Sequence, residues 1–268
     1  MVSAPALVLV AHGTRSARGV EMIAALAEAV GNELGVAVSG RDADAAAARE
    51  PLPLVPGPQQ AAVPAVRTAF VDVLGPAPAE VLRDLTGPAG ESVPAVVVPA
   101  FLASGYHVYQ DVPREVADSG HGAVAITPAM GPDPALARIM TMRLRAAGWR
   151  PGDAVVFAAA GSSDPRARQD VRRAAAMLAE RLDSPVRLGY IATGAPRVAD
   201  VVAALRASGA ERVFVASYLL AHGLFHQRLH GAGADGVAEP IGVHPAVVRL
   251  IADRYRVAAR ELVRARVR

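Results

Sequence analysis

Ala6-Leu7-Val8-Leu9-Val10-Ala11-His12-Gly13-Thr14-Arg15 is an unbroken aliphatic run that stops on a polar tetrad. Six apolar residues without polar alternation describe a strand covered on both faces, as a parallel sheet requires. Outward from it the pattern recurs: aliphatic runs at residues 66–71, 95–100 and 123–127 are each followed by a stretch able to form a helix. Strand and helix in regular alternation predict an α/β fold with a parallel sheet. Asp133 before Pro134, Asp164 before Pro165 and Asp111 two residues before Pro113 mark helix starts.

After Gly148-Trp149-Arg150-Pro151-Gly152 the ladder begins again, with strands at residues 154–159, 186–191 and 212–216. Laid together, Val10-Ala11-His12-Gly13-Thr14 falls on Ala158-Ala159-Ala160-Gly161-Ser162, and Phe101-Leu102-Ala103 falls on Tyr218-Leu219-Leu220. The chain therefore reads as a duplicated unit: residues 1–148 carry a working site and residues 152–268 a degenerate copy. Residues 40–65, with Pro51, Pro53, Pro56, Pro58 and Pro64, show neither period and predict a mobile loop.

Composition narrows the chemistry. The chain has 268 residues, 52% of them hydrophobic but only 4% aromatic, so its interior is aliphatic and stacking platforms for nucleic-acid bases are not indicated. The net charge of +3 is small and its Arg residues are interleaved with acids, which suits a polyanionic small molecule better than nucleic acid. The absence of Cys excludes disulfides, iron–sulfur ligation and thiolate sites, leaving His, carboxylate and main-chain oxygen as metal donors. The apolar start has no basic leader and is too short to span a bilayer, so it reads as a strand of a cytoplasmic protein with no membrane association.

Ligands in open parallel sheets bind beyond the carboxyl ends of the strands. Three polar residues stand there in the first half: His12 after the first strand, Asp72 after the second, and His107 in the loop after the third. The second half has Ala160 in place of His12 and Ala192 in place of Asp72, so the fold does not require the trio. Two imidazoles and a carboxylate suit a borderline divalent ion held loosely, and an imidazole also accepts protons near neutral pH.

At these residues the chain resembles the sirohydrochlorin chelatase family, class II tetrapyrrole chelatases, in its long two-domain form related to the cobaltochelatases of cobalamin synthesis. The resemblance rests on Ala11-His12-Gly13-Thr14-Arg15, on Ala69-Phe70-Val71-Asp72-Val73-Leu74-Gly75-Pro76 and on Val98-Pro99-Ala100-Phe101-Leu102-Ala103-Ser104-Gly105-Tyr106-His107 leading to Asp111-Val112-Pro113. Ala159-Ala160-Gly161-Ser162-Ser163-Asp164-Pro165 and Gly189-Tyr190-Ile191-Ala192-Thr193-Gly194 continue it in the second half. It implies two flavodoxin-like, chelatase-type halves facing across a cleft, and insertion of a divalent metal, Fe2+ in first place and Co2+ as the alternative, into sirohydrochlorin. The metal is then a substrate, and no permanent cofactor is implied. The family's two site histidines fall on His12 and His107, which would receive the ion and help remove the pyrrole protons. Its acidic residue, commonly Glu, falls on Asp72, one methylene shorter, to orient or charge-balance the imidazoles. Arg15 and Arg18 are candidates for the carboxylate arms of the ring, or else a solvated helix start, and Gly13 and Gly105 would let the backbone approach the flat macrocycle.

Three other readings compete. His222, His226 and His230 recur every four residues and could ligate an ion from one helix face, although partly exposed surface histidines are the simpler reading. A carrier that binds tetrapyrrole or metal without insertion would show the same ligands. A nucleotide-binding flavodoxin-like protein is disfavoured because no glycine-rich phosphate loop follows a strand.

Overall fold

A computed structural model describes residues 4–46, 63–86 and 90–267. The first half forms β1 (Ala6–His12), α1 (Ala17–Ala46), β2 (Val66–Val71), α2 (Pro78–Arg83), β3 (Ala95–Pro99), one π-helical turn (His107–Asp111), α3 (Val112–Ser119), β4 (Val124–Ile126) and α4 (Pro134–Ala146). The second forms β5 (Ala154–Gly161), α5 (Pro165–Leu182), β6 (Val186–Thr193), α6 (Val198–Ala207), β7 (Val213–Tyr218), α7 (Leu224–Leu229), β8 (Gly236–Val237) and α8 (Pro245–Val267).

The strands make two four-stranded parallel sheets, ordered β2-β1-β3-β4 and β6-β5-β7-β8. The identical orders, with helices on the faces, make the protein two similar α/β domains. β1 and β3 are the inner strands of the first sheet and are buried along nearly their whole length, which is why neither alternates.

Register ties the repeat together residue by residue. Ala11 pairs with Phe70 and Ala159 with Tyr190, so Ala192 takes the place of Asp72. The turns that follow close alike: Phe70 N–H donates to Pro76 O and Tyr190 N–H to Pro196 O, each at 2.9 Å. The third strands correct the sequence reading by one residue. Val10 pairs with Pro99 and Ala158 with Ser217, and Phe101 and Leu219 each accept the next crossover, from Met130 N–H and Ile241 N–H; Phe101 therefore matches Leu219, not Tyr218. An all-apolar strand reads the same after a one-residue slip, so the sequence pattern could not fix this register.

Two more expectations change. Asp133 and Asp164 cap α4 and α5 through Ala135 N–H and Arg166 N–H, but Asp111 caps nothing, because the chain enters α3 directly from the π turn. Of the stretch expected as a mobile loop, residues 40–46 continue α1, whose Ala and charged residues are helix-compatible up to the first proline at Pro51, and residues 47–62 lie outside the described residues.

The halves are not stacked side by side. α4 packs on α5 and β7, and α8 returns to α1, β3 and β4, so the last helix of each half covers the other half's sheet. Leu26, Leu136, Phe157 and Ile251 accordingly belong to one continuous core. Burying such side chains contributes about 1.5–3 kcal/mol each, so the interface is part of the folding energy. No helix among the described residues is long and apolar enough to cross a membrane.

Candidate metal centre

β1 lies between β2 and β3, which makes the loops leaving these three strands neighbours at the carboxyl edge of the sheet. They bring His12, Asp72 and His107 together. Asp72 Oδ2 lies 2.8 Å from His12 Nε2 and 3.6 Å from His107 Nε2, and the two imidazoles meet edge to face with centroids 5.2 Å apart. Among the described residues this is the one group of three His or carboxylate side chains whose ligand atoms all lie within 4.8 Å of one another. His12 and Asp72 are half exposed and His107 less so, so one side of the cluster is open.

Backbone geometry aims these groups. Asp72 has a left-handed backbone, φ 72°, which Asp tolerates better than most residues and which turns the chain back toward β1. Gly13 makes room for that turn: a Cβ there would stand 2.8 Å from Leu74 N. Phe101 stacks on the His107 ring at 5.8 Å.

The hydrogen bonds also fix the tautomers. His12 Nδ1 lies 2.8 Å from Gly13 O, and a carbonyl only accepts, so Nδ1 carries the proton. His107 Nδ1 lies 2.6 Å from Asp111 Oδ2, a buried carboxylate whose other oxygen pairs with Arg114 at 3.1 Å. Both Nδ1 atoms are thereby occupied, and both Nε2 atoms face Asp72. Lone pairs and a carboxylate at such distances need a shared proton or a cation between them. Asp111 was missed as a site residue because Asp before Pro reads as a helix cap; its signal was the four-residue spacing from His107, which places both on one face of a helical turn.

Other residues singled out in the sequence land differently. The lack of a side chain at Gly105 is used for packing, as at Gly13: a Cβ would stand 3.2 Å from the Cβ of Ala167 in the second half, so close approach to protein is enough to account for both glycines. Arg15 is exposed three residues past His12, and the Arg18 guanidinium is 3.9 Å from Glu239. His222, His226 and His230 form an edge-to-face ladder with centroids 5.1 and 5.0 Å apart, but only His226 lies within α7. His222 and His226 are buried, contrary to the surface reading, because α7 lays this face against the segment holding Ala238 and Glu239. Burial holds both below the ordinary histidine pKa, and their ligand atoms do not gather as those of the first trio do.

The CbiX profile matches residues 57–147 and, again, residues 154–258. The chain belongs to the CbiX family. The double match follows the structural repeat, and the first match includes Asp72 and His107. No curated protein sequence matches this CbiX-family chain. Among solved structures, SirB from Bacillus subtilis with Fe3+ is similar over 96% of each chain at 21% identity and a TM-score of 0.68. The sirohydrochlorin chelatase SirB from Bacillus subtilis subspecies spizizenii in complex with cobalt matches over 96% of each chain at 20% identity and a TM-score of 0.63. CbiX, described as the terminal enzyme for biosynthesis of siroheme in denitrifying bacteria, matches over 94% of this chain and 99% of its own at 24% identity and a TM-score of 0.59. At these identities the likeness establishes the fold of this CbiX-family chain.

Proposed function

We propose that the chain is a sirohydrochlorin chelatase that inserts a divalent metal ion, ferrous iron first and cobaltous ion as the alternative, into the macrocycle. The observation that carries this reading is the meeting of two Nε2 lone pairs and one carboxylate, each Nδ1 already committed elsewhere, on the open rim of the sheet. A closed tetrahedral cage would hold the ion; a three-donor set with an open side can release it. Similar chains are described with Fe3+, as a sirohydrochlorin chelatase in complex with cobalt, and as the terminal enzyme for biosynthesis of siroheme, which supports the same substrate class here. Ferrous iron stands first because it binds such N/O sites less tightly than cobaltous ion and so leaves more readily.

The chemistry follows from charge balance. The ion would enter between His12, His107 and Asp72, with the two protons left there by the preceding turnover released to solvent. The macrocycle would then settle over the open side, where Val73 and Tyr106, exposed next to Asp72 and His107 in their loops, present apolar surface. As the ion passes to the ring, two pyrrole N–H protons leave, and the vacated Nε2 atoms and the Asp72 carboxylate accept them. A dication has been exchanged for two protons, so the site keeps its net charge. Arg15, exposed three residues past His12, would meet a carboxylate arm, and Arg18 would do so by exchanging its long contact with Glu239 for a closer bidentate pair. An open cavity of about 350 Å³ lined by Tyr106, Ser163, Asp164, Pro165 and Arg166 extends the surface beside His107 toward the second half.

The test is to follow sirohydrochlorin absorbance anaerobically with limiting protein and either ferrous or cobaltous ion. Many turnovers per chain support an enzyme, and the faster metal under competition identifies the preferred substrate. A plateau at one equivalent would instead make the protein a carrier.

A further inference from the structure

The segment between β3 and the π turn leads into His107, yet two of its polar backbone groups are satisfied from the other half of the molecule. Leu102 O accepts from the Tyr218 hydroxyl at 2.6 Å, and Ser104 N–H donates to Asp170 Oδ2 at 2.9 Å. Tyr218 is 4% exposed, at the end of β7, and Asp170 lies on α5. Gly105 then rests on Ala167 of α5, and the Arg166 guanidinium covers the Tyr109 ring at 4.0 Å. The His12 side is also touched: a Cβ at Gly19 would come 2.5 Å from His222 O. The Asp72 loop is fixed mainly by the Gly13 contact inside the first half.

We infer that the second half is the jig of the metal centre: through Asp170 and Tyr218 it holds the segment from Leu102 to His107, and so sets the separation of His107 from His12 and Asp72 that decides how tightly a divalent ion is bound. This rests on the reading of the trio as the ion's ligands. Asp170 and Tyr218 touch neither ion nor macrocycle; they are positioning residues. The degenerate copy gives the reason for the arrangement. A loop that must expose an imidazole cannot also bury enough of itself to be rigid, and a second sheet behind it supplies the missing anchors.

The decisive measurement is cobaltous ion affinity, read from its visible absorption during titration of the intact chain, for wild type, Asp170→Ala, Asp170→Asn and Tyr218→Phe. Outer partners of metal ligands commonly change affinity by about 10–100-fold, so Asp170→Ala and Tyr218→Phe should each weaken cobalt binding by about tenfold. Asp170→Asn keeps an acceptor oxygen and should stay within about threefold of wild type, a rescue that general destabilisation would not produce. If Asp170→Ala fails to fold, Tyr218→Phe, which removes one hydroxyl from a buried ring, decides alone. Folded variants with wild-type affinity overturn the inference, as does an Asp170→Asn protein as weak as Asp170→Ala. The underlying reading fails separately: wild-type cobalt affinity in His107→Ala removes the site itself, whereas wild-type protein that binds cobalt but never inserts it removes the proposed activity and leaves the jig to be judged on the affinities.

Discussion

β1 and β5 hold the same place in sheets of the same order, and each runs into a glycine at its carboxyl end. Yet β1 delivers His12 where β5 delivers Ala160, and the turn after β2 carries Asp72 where the turn after β6 carries Ala192. The comparison separates what the fold needs from what the chemistry needs. Alanine suffices at both positions for the sheet. The first half instead carries a left-handed Asp72, a conformation that costs roughly 1 kcal/mol, together with three polar groups gathered at one rim. Among the described residues the sheet does not recover that cost, which supports the proposed role of the trio as the metal's ligands.

The sharpest way to break the comparison is to make the first half resemble the second. His107→Ala should lower metal insertion by about a hundredfold or more while the circular dichroism spectrum stays that of wild type, since a loop imidazole contributes little packing. A fully active variant would move the site elsewhere. Asp111→Asn comes next: the amide still accepts from Nδ1 but no longer supplies a charge, and insertion should fall by about tenfold, with cobalt affinity falling in parallel. Unchanged affinity there would reduce Asp111 to a packing residue.

The converse exchange should do almost nothing. Ala160→His with Ala192→Asp places the missing side chains into the second half, but pairing between β5 and β6 shifts register between Ala159 and Gly161, so residue 160 is not presented as His12 is. Cobalt titration should still saturate at one equivalent per chain. Two equivalents would mean that side-chain identity alone distinguishes the halves.

How much of this the sequence disclosed follows from how each feature is encoded. The strands were legible because uninterrupted aliphatic runs have few other uses, and β1, β2 and β3 begin where the pattern places them. His12 and Asp72 were legible because strand ends are predictable: His12 closes β1 and Asp72 follows β2 directly, whereas His107 lies farther along its loop. The one-residue slip in β7 and the two-residue β8 were not legible, the first because an apolar strand carries no register mark and the second because two residues carry no period. Asp111 was hidden behind its commoner role beside proline. The anchoring of the His107 loop by Asp170 and Tyr218 was hidden for a different reason: it joins residues 66 and 116 positions apart, and no local pattern reports such contacts.

The smallest effect on activity belongs to the histidines of the second half, and there the comparison is tested by pH. His226 Nε2 meets Ala238 O at 3.2 Å, and burial is the main cause that holds its pKa below the ordinary 6.5. Well above that value the imidazole is neutral folded and unfolded, and contributes nothing to the pH dependence. Below it the unfolded chain takes up a proton that the buried ring resists, so stability falls with pH until the folded-state pKa is passed. His226→Gln retains a donor for Ala238 O and removes the titration. Its melting temperature should therefore drop less than that of wild type between about pH 7.5 and about pH 5, while its insertion rate stays within about twofold. An equal drop in both proteins would mean that the acid sensitivity lies elsewhere, whereas a large loss of insertion would assign the ladder of His222, His226 and His230 a part in the chemistry that the first half is argued to hold alone.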